Sequence, residues 1–232
     1  MSEASEKVLG IRHLPIFPLP LVLLPNELLP LHIFEPRYQQ MFKDIGLEKN
    51  LFGVSFFDRE DSLADQPPID SIGCVAEASE LQPMPDGRSN LLSVGVIRYR
   101  LLDYVETGDP YLVGNVEFFE DDIEDEFVLK PLADEVFEVF KRIAKAAYNL
   151  SGERGKFPEI TQAEPQALSF LVTAAFNLEP EMKYKMIETR STIERLERLR
   201  EILRQTVGKM EENADIYKTS QTNGHSKKKI DL

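Results

Sequence analysis

The chain of 232 residues has one cysteine, three histidines and no proline-free apolar run long enough to cross a membrane, and each shortage removes a class of function. With Cys74 alone, neither an internal disulfide nor a cysteine-based zinc site can form, which fits a reducing compartment. His13, His32 and His225 are too scattered for a metal site. The acidic, polar start M-S-E-A-S-E-K lacks the basic and apolar regions of a secretory signal and the arginines of a transit peptide, so the expected location is cytoplasmic. Basic residues are also scarce, 27 against 40 acidic ones. The resulting net charge of -13 repels a phosphate backbone unless the cations gather on one face.

What is plentiful is proline and leucine between Leu14 and Tyr38, in L-P-I-F-P-L-P-L-V-L-L-P-N-E-L-L-P-L-H-I-F-E-P-R-Y. A membrane helix is excluded here, because Pro15, Pro18, Pro20, Pro25 and Pro30 each delete a helix hydrogen bond, and Asn26, Glu27 and His32 need desolvating. The run reads as two extended pieces, 14–19 and 28–34, turned by Pro25-Asn26. A helix then starts at Pro36, with Tyr38, Met41, Phe42 and Ile45 as its buried stripe and Gly46 as its end.

The rest of the first half has the period of strands. Residues 52–57 alternate, 58–70 form a polar loop, and 72–81 and 91–103 flank P-M-P-D-G-R-S-N, where Asp86-Gly87 supplies a hairpin turn. A further strand covers 111–119, and the spacing implies a small barrel. Between Glu117 and Glu126 seven of ten residues are acidic, a composition expected of a solvated linker rather than a calcium loop. Beyond it the period becomes helical. One helix carries Leu132, Val136, Val139, Ile143 and Ala147 and ends in a loop at 151–155. A second is announced by Thr161 and Glu164 with Pro165, burying Leu168, Leu171 and Ala175. A third spans about 180–189, and a fourth opens at Ser191 and Glu194, buries Leu196, Leu199, Leu203 and Val207, and ends near Gly208. The expected fold is α+β, with a flexible N-terminus at 1–11, a β-barrel domain at 12–120, an acidic linker at 121–127, a bundle-like helical domain of four helices at 128–208 and a disordered tail at 209–232.

Six short motifs in one order, the proline-leucine opening, I-F-E-P-R-Y at 33–38, S-I-G-C-V-A at 71–76, P-D-G at 85–87, G-V-I-R-Y-R at 95–100 and P-Y-L-V at 110–113, resemble the N-terminal substrate-binding domain of Lon proteases, most closely its stand-alone forms. That resemblance covers about residues 12–208. It implies a PUA-like pseudo-barrel followed by helices, and a non-catalytic module that recognises protein clients, or a protease or chaperone partner, in quality control. A PUA-like RNA-binding protein is the alternative, marked by a basic face with exposed aromatics; the charge argues against it. No nucleic-acid or membrane partner and no cofactor is expected. The run G-E-R-G-K at 152–156 has the wrong spacing for a phosphate-binding loop, and no Ser-Lys protease centre is recognisable.

The expected binding surface joins an apolar groove, with Leu31, Phe34, Tyr38 and Phe57 as candidates, to backbone pairing along a proline-protected strand edge. Glu35, Arg37 and Tyr38 serve either a partner site or the helix start. Arg98, with Arg100, either contacts a ligand or closes the barrel against carboxylates. Cys74 with His32 is weighed as a thiolate pair, but a small core residue is the preferred reading.

Overall fold

The computed structural model describes residues 2–58, 65–150, 157–176 and 178–223. Six strands and six helices follow in the order α1 (Glu3–Lys7), β1 (His13–Leu19), β2 (Leu28–Ile33), α2 (Pro36–Lys49), β3 (Leu51–Phe56), β4 (Ile72–Pro83), β5 (Ser89–Tyr104), β6 (Leu112–Phe119), α3 (Glu126–Leu150), α4 (Pro165–Ala175), α5 (Pro180–Glu188) and α6 (Thr192–Asn223). The expected α+β class is observed.

The strands form one sheet in the order β2-β5-β4-β3-β1-β6, closed by a second pairing of β5 with β6. Five strands therefore make a ring, and β2 hangs on its outside, joined to β5 alone among the described strands. All neighbours are antiparallel except β1 and β3. The sixteen residues of β5 make this possible: its first part pairs with β2 and β4, and its second part, beyond a register shift, with β4 and β6. The hairpin turn falls at Gly87, whose φ of 84° is the left-handed value that the Asp-Gly pair accommodates.

Alternation along the strands divides the apolar residues between two cores. Leu14, Ile16, Leu51, Val75, Ile97, Tyr99, Leu101 and Val116 come from all five ring strands and fill the barrel. At its centre the Tyr99 hydroxyl shares a 2.7 Å hydrogen bond with Ser55. Glycine makes the room: a Cβ on Gly73 would lie 2.4 Å from the Tyr99 ring and 2.5 Å from the Val54 carbonyl oxygen. The other core lies outside the ring, where Phe17, Leu29, Ile33, Phe52, Val54, Cys74 and Ala76 are covered by Tyr38 and Met41 of α2, Phe170 of α4 and Ile187 of α5.

The chain divides into two compact units, Met1–Glu124 with Glu164–Thr192, and Asp125–Ala163 with Ile193–Leu232. This differs from an uninterrupted helical domain over 128–208. Helices α4 and α5 fall with the barrel because they cover its outer core, and Tyr184 accepts the Ile72 backbone N–H at 2.9 Å. In the second unit, Leu132, Val136 and Ile143 of α3 and Leu196, Leu199 and Leu203 of α6 are buried. Glu135 there pairs with Arg204 at 2.7 Å and Arg200 at 3.5 Å.

Several local expectations are corrected. The N-terminus is not a loose end: Ser2 caps α1, Val8 is buried in the barrel core, and Lys7 pairs with Glu77 at 2.7 Å. The acidic run is exposed over most of its length, as expected, but it is tied down at points: the Asp121 side chain is buried against Arg98 and Thr192, Asp122 pairs with Arg190 at 2.9 Å, and Glu124 accepts the Ser191 hydroxyl at 2.5 Å. Helix α4 begins at Glu164 with Pro165 in its first turn, not at Thr161, and buries Leu168, Phe170 and Val172 while Leu171 and Ala175 face outward. Ala147 is exposed. Helix α6 passes through Gly208 to Asn223, overriding one glycine that costs a helix only about 1 kcal/mol. The loop at 151–155, the run 152–156, residues 59–64 of the loop at 58–70 and Lys227–Lys229 lie outside the described residues.

Candidate functional site

Where β1 ends, Pro18 and Pro20 bracket Leu19 and the chain leaves the ring. Across from it β2 runs into α2, with Phe34 and Glu35 between them and Pro36 setting the first helical turn. Between these pieces lies a cleft of ≈ 580 Å³. Its walls hold Leu31, Phe34, Glu35, Arg37, Tyr38 and Phe57, six of the seven residues expected from sequence. The first unit alone builds it.

These six play different parts. Tyr38 is only 4% exposed; its ring lies 4.1 Å from that of Phe17, centroid to centroid, and the Arg37 guanidinium sits 4.5 Å above it. It is therefore a core residue forming the cleft floor. Phe57 is likewise buried. Arg37 is held over the tyrosine by Glu35, which accepts from its Nε at 2.9 Å and lies 2.7 Å from a terminal nitrogen. Phe34 is the exception, 60% exposed, with its carbonyl oxygen taking a 3.2 Å bond from Gln39. A large apolar side chain left in water beside a cleft is the local feature that most resembles a binding anchor.

Arg98, the seventh expected residue, lies elsewhere. It is buried, donates to the carbonyl oxygens of Ile187 at 3.0 Å and Thr189 at 2.8 Å, and pairs with Asp121. The rings of Phe119 and Phe170 lie 4.6 and 5.4 Å from its guanidinium carbon. Of its two sequence readings, the geometry favours closure against a carboxylate. Sequence reasoning also missed Pro18, Pro20 and His32 as cleft residues, although prolines at the end of a strand signal an edge barred from further pairing.

Cys74 has no catalytic surroundings. It is fully buried in the outer core, and loss of solvation pushes its thiol well above the usual range, while the His32 imidazole shares its 2.8 Å bond with Asn90. A disulfide-exchange reagent should leave Cys74 unmodified in the folded protein and label it fully in denaturant; rapid labelling of the native chain would contradict this burial. Among the described residues, no cluster of three or more His, Cys, Asp or Glu can hold a metal, and no helix is long and apolar enough to cross a membrane.

A second concavity of ≈ 610 Å³ lies between α2 and the β4–β5 turn, walled by Phe42, Ile45, Leu81 and Met84. It is somewhat larger, and Ser79, Leu81 and Pro83 on its wall belong to the part of β4 beyond its last pairing with β3 at Glu77.

Residues 13–205 match the family described as the ATP-dependent protease La (LON) substrate-binding domain. A Lon protease of Anaeromyxobacter dehalogenans is 30% identical over 208 residues, 82% of this chain and 24% of that protein. One of Parabacteroides distasonis is 32% identical over 124 residues, 52% of this chain and 14% of that protein. The chain thus spans about a quarter or less of the length of these relatives. Among solved structures, a Lon N-terminal domain protein from Xanthomonas campestris superposes with a TM-score of 0.62 at 24% identity, covering 82% of this chain and 97% of that one. The N-terminal domain of a Mycobacterium avium complex Lon protease gives 0.56 at 16%, covering 83% and 98%. At these identities the structural likeness concerns the fold.

Proposed function

Because the chain belongs to the Lon substrate-binding domain family, we propose that it is a non-catalytic module that binds protein clients at the cleft between β1, β2 and the start of α2. The observation that carries this reading is the convergence of Leu31, Phe34, Glu35, Arg37, Tyr38 and Phe57 on one concavity next to an open strand edge. The site offers an apolar floor, an exposed aromatic and a mainly acidic rim of Glu35 and Asp58 around Arg37. That chemistry suits an extended, unfolded segment.

The matched region is the substrate-binding domain, with neither an ATPase nor a protease domain within it. The purified chain is accordingly expected to bind unfolded casein, release it intact and hydrolyse no ATP. Cleavage or ATP turnover that tracks with the protein through repurification would refute the non-catalytic reading, and failure to bind casein and any other extended segment would refute client binding.

A further inference from the structure

Resting on that client-binding reading, we propose that the bound segment adds as a strand to the outer edge of β2, and that it carries cationic side chains beside an apolar one. In antiparallel pairs, successive residues turn their backbone polar groups alternately toward and away from the partner strand. The Gly95 N–H donates to the Glu27 carbonyl oxygen at 2.9 Å, and Ser93 Oγ to that of Leu29 at 3.0 Å. With the continuous register from Leu28–Val94 to Ile33–Ser89, residues 29, 31 and 33 therefore face β5, whereas Leu28, Pro30 and His32 direct theirs outward. β2 is the last strand of the sheet, so that edge meets no strand among the described residues.

The cleft's opposite wall cannot offer the same service. Pro18 and Pro20 have no N–H, and the Leu19 carbonyl oxygen already accepts from Phe57 at 2.7 Å. A segment in the cleft thus has β2 as its pairing partner. Pro30 makes the edge unequal, with carbonyls at residues 28, 30 and 32 but N–H groups only at 28 and 32. A second copy paired antiparallel about Pro30 would set the two Pro30 carbonyls against each other with no donor between them, so self-pairing is disfavoured and a foreign strand is favoured. Charge points to its composition: Glu80 lies on the exposed sheet face in register with Leu92, itself opposite Pro30, and the chain carries -13 overall. Exposed Leu28 and Phe34 at the two ends of β2 give the apolar component its contacts.

The test uses a short labelled peptide of lysine and valine with a central phenylalanine, titrated by fluorescence anisotropy, and a set of versions N-methylated at one residue each. Methylation should weaken binding about tenfold at every second position and hardly at all in between, because only alternate N–H groups donate to β2. Glutamate in place of lysine should abolish binding. Pro30→Thr, which supplies the missing outward N–H, should tighten it by about fivefold. A flat methylation profile would overturn the added strand while leaving cleft binding intact, provided Phe34→Ala still weakens the same peptide. Casein binding without peptide binding would overturn the charge and edge assignment alone. If neither ligand binds, the client-binding reading falls with it.

Discussion

Replacing Arg98 by alanine is expected to lower the unfolding free energy by about 3 to 5 kcal/mol, read from a urea titration followed by circular dichroism. The size follows from what the substitution strands. The Asp121 carboxylate is as buried as the guanidinium, so it would be left charged and poorly solvated, and the carbonyl oxygens of Ile187 and Thr189 would lose their donor. The packing of the arginine between Phe119 and Phe170 would also be lost. Arg98→Met combined with Asp121→Leu should recover much of the loss, since removing both charges leaves neither unpaired. An alanine variant as stable as the parent would show that Arg98 is not a structural closure, and its role as a ligand contact would regain force.

Tyr38→Ala is the second large effect, expected at about 3 to 5 kcal/mol, because truncating a buried aromatic leaves a cavity that the surroundings only partly fill. Here the lost contacts are the Phe17 ring on one side and the Arg37 guanidinium on the other. Phe34→Ala, four residues earlier, should change stability by no more than about 0.5 kcal/mol, since its side chain is largely in water. Near-equal unfolding midpoints for the two variants would contradict the assignment of Tyr38 to the core and Phe34 to the surface.

The contrast between these neighbours also marks how far the sequence could be read. Both were legible as candidates for one groove, because an apolar residue before a helix start and another in its first turn lie on adjoining surfaces. The helical stripe already marked Tyr38 as buried, but its partner was not legible, since that depends on Phe17 arriving from β1. The ring strands were legible from their period of two, and the β4–β5 turn from Asp86-Gly87, because both signals are local. Partnership was less so. The acidic run reads as solvated by composition and is largely exposed, but composition could not show that Asp121, Asp122 and Glu124 meet Arg98, Arg190 and Ser191. Helical periodicity in α4 and α5 announces a buried face without saying against what, which is why these helices were grouped with α3 and α6 instead of with the sheet. Thr161 and Glu164 have the spacing of a capping box, yet Pro165 fixes the first helical turn and places the cap at Glu164.

Client binding by Phe34→Ala, measured beside the parent chain at equal folded fraction, tests the central claim most directly. Labelled, unfolded casein titrated with each protein should show affinity lower by about 1 to 3 kcal/mol for the variant, roughly five- to more than a hundredfold, with unchanged unfolding midpoints. Equal affinity for the two proteins would contradict the account and place the client elsewhere on the surface.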